Sequence, residues 1–175
     1  MGLGQTLLTI MALMLMGRLI LSVNTTTLDI GFSKDMSEYR IVATSLGTSM
    51  IEQTNALAFD EATVDTTITV STQLTAAASF GPDAGESSIA LFDDVDDFHN
   101  YVKLDTLQSV DYRSVLQVEY LTVTPPSTMT VSTTKSYSKR ITVKVTSPYL
   151  IDYSVTPARP DTITFQTVYS YWFFR

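Results

Sequence analysis

The sequence contains no cysteine, which excludes disulfides, thiolate zinc sites and thiol catalysis. It contains one histidine, His99, which argues against a histidine-built metal centre or a conventional hydrolytic triad. Basic residues are scarce: 11 Lys and Arg against 18 Asp and Glu leave a net charge of -7. Such a chain lacks the cationic surface that neutralises phosphates, so no nucleic-acid partner is expected. No proline occurs before Pro82, so nothing ahead of it breaks a helix by removing a backbone N–H. Charged residues make up only 17% of the chain and hydrophobic residues 45%, which excludes a disordered acidic tail. A length of 175 residues suits one globular domain with an appendage.

What is present is unevenly spread. From Leu7 to Val23 the chain reads LLTIMALMLMGRLILSV, about 17 residues and the lower limit for a helix that spans a bilayer. No basic stretch precedes it and no small-x-small cleavage site follows, as a secretory signal would require. Arg18 lies inside the run, where a cation costs a few kcal/mol unless it snorkels or finds a partner. Two readings follow: a tilted anchor with Arg18 near the interface, or a helix held in lipid only until it packs against copies of itself. Gly2, Gly4, Ala12 and Gly17 permit close approach between such helices.

The helical pattern continues beyond the apolar run. Tyr39, Val42, Ala43, Leu46, Met50 and Leu57 recur at spacings of three, four and seven, which marks one face of an amphipathic helix. The reading is one long helix from Gly2 to Phe59, on the order of 85 Å at 1.5 Å per residue. Asn24-Thr25-Thr26-Thr27 and Gly31 predict a local loosening at 24–31. After Asp60 the period changes to two. Thr67–Val70, Ser114–Val123, Arg140–Thr146 and Ile163–Trp172 read as strands, with a turn at Gly81–Gly85 and strand ends at Pro125-Pro126 and Pro148. Successive strands without helices between them favour an antiparallel sheet. The expected class is α+β: residues 1–59 a long helix, its first 24 residues apolar, and residues 60–175 a small sheet domain onto which the helix packs by its C-terminal half.

Three stretches carry a resemblance: Ala43–Gln53 with Ala58-Phe59-Asp60; the acidic segment Leu91-Phe92-Asp93-Asp94-Val95-Asp96-Asp97-Phe98-His99-Asn100-Tyr101; and Lys139–Val145 with Asp161–Phe165. With the apolar helix in front of them, the chain resembles the type IV pilin and pseudopilin superfamily, and is similar to minor pilins of mannose-sensitive haemagglutinin pili. The resemblance implies a structural subunit of an extracellular filament rather than an enzyme. The subunit would wait in the inner membrane and polymerise with copies of itself through its apolar helix. Its other partner would be a pilus or secretion assembly machinery in the membrane. A minor pseudopilin of a type II secretion system, in a periplasmic pseudopilus, is the alternative, and a single-span envelope protein with a β-rich binding domain is a third. Family members are cut after a leader that ends in Gly, are methylated on the new first residue, and carry Glu at mature position five. If the chain as written is already processed, Gln5 stands in that place, where it could hydrogen-bond a neighbour's terminal amine without an ion pair. Otherwise cleavage follows Gly2 or does not occur.

The residues expected to act are therefore of two kinds. Gln5, Arg18 and Asp29 are assembly candidates, with Arg18 pairing with Asp29 of a neighbouring copy, because the two lie roughly 16 Å apart along one helix. Asp93, Asp94, Asp96 and Asp97 are the metal-like constellation, with Ca²⁺ as the candidate ion because hard cations collect carboxylate oxygens. The other reading of the same four is an exposed turn whose carboxylates bond nearby amides. His99 beside them is expected to make a structural hydrogen bond. The aromatic terminus, Tyr169 and Tyr171 to Phe174, either completes the core or meets another subunit.

Overall fold

The computed structural model describes residues 2–124 and 128–171. The predicted long helix is one unbroken element, α1, Leu3–Asn55. It ends short of Phe59: the amides of Ala56 and Leu57 bond three residues back, to Gln53 and Thr54, and tighten the last turn. The loosening predicted at 24–31 is absent. Thr25, Thr26 and Thr27 return their hydroxyls to the carbonyls of Leu21, Ser22 and Val23 at 2.8–3.1 Å. That bond satisfies each hydroxyl without leaving the helix.

The chain forms two compact units, Met1–Tyr39 and Arg40–Arg175. Residues 2–35 of the first are exposed without exception. α1 is long and apolar enough near its N-terminus to cross a membrane.

The second unit holds the end of α1 and five antiparallel strands: β1 (Val102–Leu107), β2 (Val110–Thr124), β3 (Thr128–Ser132), β4 (Ser138–Asp152) and β5 (Arg159–Ser170). Their order is β1-β2-β4-β5, and β3 pairs with the far end of β2. The class is α+β, as expected. Alternation sets the faces. Leu116, Val118 and Tyr120 of β2 lie opposite Val143, Ile141 and Lys139 of β4 on the buried face. Glu119 and Arg140 pair on the other face at 2.7 Å.

The end of α1 packs on this buried face through Ala43, Gly47, Met50 and Thr54, spaced by four, three and four residues. Tyr39, Val42, Leu46 and Leu57 of the predicted stripe are half-buried. A Cβ on Gly47 would enter the ring of Phe165 on β5, so only glycine lets the helix lie this close. Arg40 on α1 bonds Asp161 of β5 at 2.8 Å.

The strands expected at Ser114–Val123 and Arg140–Thr146 lie within β2 and β4, and the one expected at Ile163–Trp172 starts within β5, which ends at Ser170. Trp172, the expected end of the last, lies outside the described residues, as do Pro125, Pro126, Phe173 and Phe174. The strand expected at 67–70 does not form. The Ile68 amide donates to the Tyr171 hydroxyl, and the amides of Thr69 and Val70 donate to Gln73 Oε1, opening a 3-10 turn. Pro148 does not stop β4, which runs on to Asp152. The proline falls where the β4–β5 register shifts, between Thr146 and Ile151, and no ladder hydrogen bond is needed from it there.

Candidate functional site

The three assembly candidates lie on the exposed unit. Gln5, Arg18 and Asp29 are exposed, and α1 keeps Arg18 and Asp29 on one continuous helix. The structure therefore brings none of the three together within the chain.

The acidic stretch is placed differently from an exposed turn. Between α1 and β1 the chain crosses the buried face of the sheet in short 3-10 turns. Ala58 forms a parallel bridge with Asp94: its amide donates to the Asp93 carbonyl and its carbonyl accepts from Val95. Asp94, Asp96 and Asp97 are buried and only Asp93 is exposed. Asp97 Oδ2 accepts from the amides of Asp93 and Asp94, and Asp94 Oδ1 accepts from the amide of Asp97. These bonds hold the turn closed. The four aspartates do not converge on one point. Among the described residues, the carboxylates that do lie within reach of a common ion are Glu86, Asp93 and Asp97. Asp96 points elsewhere.

Its partner is Lys139, on the buried side of β4. The side chains of Lys139 and Asp60 are 0% exposed, and Asp96 as a residue is 2% exposed. The Ala58–Asp94 bridge sets Phe59-Asp60 and Asp96 around the lysine. Nζ donates to the Phe59 carbonyl at 2.6 Å, to Asp60 Oδ2 at 2.9 Å and to Asp96 Oδ1. The rings of Phe59, Phe80 and Tyr120 surround it, with centroids 4.6, 5.0 and 5.4 Å away. The ring faces attract the cation and exclude water.

The two carboxylates have unlike surroundings. Asp60 also accepts from the Thr75 amide and hydroxyl, the Ala62 amide and the Tyr120 hydroxyl. Burial works to raise its pKa, but the Lys139 charge and the hydrogen bonds from Lys139 and Thr75 hold it below the usual value. Asp96 has only Lys139 on Oδ1, and its buried Oδ2 has no partner among the described residues. Burial, opposed by Lys139, raises Asp96 to about 6. Burial and the charges of Asp96 and Asp97 raise Asp94 to about 8. Burial, with a further contribution from Glu86, raises Asp97 to about 7 against its backbone hydrogen bonds. His99 makes the expected structural bond: Nδ1 lies 2.8 Å from the Val118 carbonyl oxygen.

Lys139, Asp60 and Tyr120 are absent from the sequence-derived candidates. One signal pointed to the lysine: it shares parity with Ile141, Val143 and Val145, the inward residues of an alternating strand. Nothing in the sequence marks Asp60 as its partner. At the C-terminus, Tyr169 and Tyr171 complete the core. Both rings lie 5.8 Å from that of Phe59, and the Tyr169 hydroxyl donates to the Leu57 carbonyl.

No protein-family model, curated protein or solved structure matches the chain.

Proposed function

We propose that the chain is a structural subunit of a type IV pilus-like filament, held in the inner membrane before assembly and polymerising through its apolar N-terminal helix. The observation that carries the reading is that residues 2–35 of α1 are exposed throughout, with the apolar run 7–23 among them, while Ala43, Gly47, Met50 and Thr54 are buried on a sheet. An apolar surface of that extent is stable only in lipid or against other protein. Covering on the order of 1,500 Å² at about 25 cal/mol/Å² releases tens of kcal/mol relative to water. Most of that is already realised in lipid, so transfer from lipid to neighbouring helices turns on close packing and polar pairing. Repetition by one rotation and one rise gives an open helical polymer.

In the polymer Arg18 of one copy pairs with Asp29 of another. This places the cation against a carboxylate instead of a bilayer interior. The test is negative-stain microscopy of sheared surface material from the producing cells, with peptide identification of the fibres. Long fibres built of this chain support the proposal. Short periplasmic fibres containing few copies point to the pseudopilin alternative. Recovery of the chain only as detergent-extracted monomer refutes polymerisation.

A further inference from the structure

We propose that Lys139 and Asp96 join through an intramolecular isopeptide bond, with Asp60 relaying the proton. The case rests on the geometry of the buried cluster and stands apart from the filament reading. A lysine amine and a carboxyl carbon condense only when held together, dry and able to exchange protons. All three conditions are met here. Nζ bonds Oδ1 of Asp96 and therefore sits beside Cγ, one bond behind. Both side chains are buried, and the rings of Phe59, Phe80 and Tyr120 surround the lysine nitrogen. Asp60 Oδ2 lies 2.9 Å from the same nitrogen, ready to take a proton from it.

The two carboxyls divide the roles. Asp60 accepts from Ala62, Thr75, Tyr120 and Lys139 and is held as a carboxylate, which makes it a poor electrophile and a suitable proton acceptor. Asp96 has an oxygen without a partner among the described residues and is the carboxyl free to react. Proton transfer from the ammonium to Asp96 gives an amine and a neutral acid, a pair that burial favours over two charges. The amine lone pair attacks Cγ and forms the C–N bond. Asp60 removes the second proton from nitrogen and delivers it to the Asp96 hydroxyl. The C–OH bond then breaks and water leaves. One ammonium and one carboxylate become one amide and one water, and Asp60 returns to its starting state. The product ties central strand β4 to the 3-10 turn Asp96–Phe98 within the acidic stretch.

The experiment is tryptic digestion and tandem mass spectrometry of the full-length chain, extracted in detergent and denatured, beside its Lys139→Arg variant. Trypsin does not cut after an acylated lysine. The expected result is a branched peptide joining the segments of Asp96 and Lys139, lighter than their sum by one water, and absent from Lys139→Arg. The native chain should also run faster than the variant on a denaturing gel, because a closed loop is more compact. Asp60→Asn should leave the two segments unlinked. Linear peptides with cleavage after Lys139 in the native chain overturn the proposal. A branch mapped to Asp60 instead of Asp96 overturns the division of roles.

Discussion

Replacing Lys139 with Met removes the one cation from a site with three polar contacts and two carboxylates. The butyl stem is nearly matched by the methionine side chain, so the loss is electrostatic rather than a cavity. Asp60 keeps its bonds from Ala62, Thr75 and Tyr120. Asp96 keeps none to its side chain among the described residues and must take up a proton to stay buried. Breaking a buried ion pair from one side typically costs about 3–5 kcal/mol, a large share of the roughly 5–15 kcal/mol that holds a domain together. Where the Lys139–Asp96 amide has formed, no ion pair remains between the two, and the substitution removes a covalent cross-link in its place. The assay is urea denaturation of the detergent-solubilised chain, followed by near-ultraviolet circular dichroism of the tyrosines. Asp96→Asn should cost less than Lys139→Met, and the two should be non-additive because they share one contact. A loss below about 1 kcal/mol for Lys139→Met, the scale of a surface pair, would refute the assignment of Lys139 as the buried centre of the sheet domain.

Gly47→Leu forces a side chain into the ring of Phe165 and should destabilise the Arg40–Arg175 unit by ~1–3 kcal/mol in the same assay; Gly47→Ala should cost less, because one methyl asks a smaller shift of the ring. Stability should fall as pH rises from roughly 4 to 8, because Asp94 and Asp97, raised to about 8 and about 7, bind protons in the folded state that the unfolded chain has released. Asp60, held below its usual value, contributes stability above the unfolded carboxylate pKa that is lost as pH falls through its lower folded value. Thermal scans at pH 5 and pH 8 should therefore give the higher midpoint at pH 5, with a smaller difference in Asp94→Asn. Arg18→Glu should abolish fibres by placing two acidic groups together, and Arg18→Glu with Asp29→Arg should restore them, as scored by counts of sheared fibres.

The sequence was most legible where a period ran long. The helix followed from spacing, and Ala43 and Met50 of the expected stripe are buried; Gly47 and Thr54 are buried outside that stripe, and Tyr39, Val42, Leu46 and Leu57 are only half-buried. Local propensity misled at Thr25–Thr27, because hydroxyls bonded to the preceding turn keep the helix intact. It misled again at Thr67–Val70, where alternation had no partner strand and side chains from Gln73 and Tyr171 took the amides. The β1–β2 turn was invisible because its two left-handed positions are filled by Gln108 and Ser109, φ 53° and 65°, rather than by Asn-Gly. The acidic stretch was legible as a cluster but not as a core. Whether an aspartate faces water or a lysine depends on a bridge between residues 58 and 94, and no local pattern encodes it.

The proposed filament requires that the exposed part of α1 be covered by copies of itself. The absence of native cysteine makes it directly measurable. Single cysteines placed along residues 7–23 should cross-link chain to chain in surface fibres, at positions on every side of the helix. The same variants giving only monomers in fibre-bearing cells, with the helix reacting with lipid-soluble probes alone, would contradict the account.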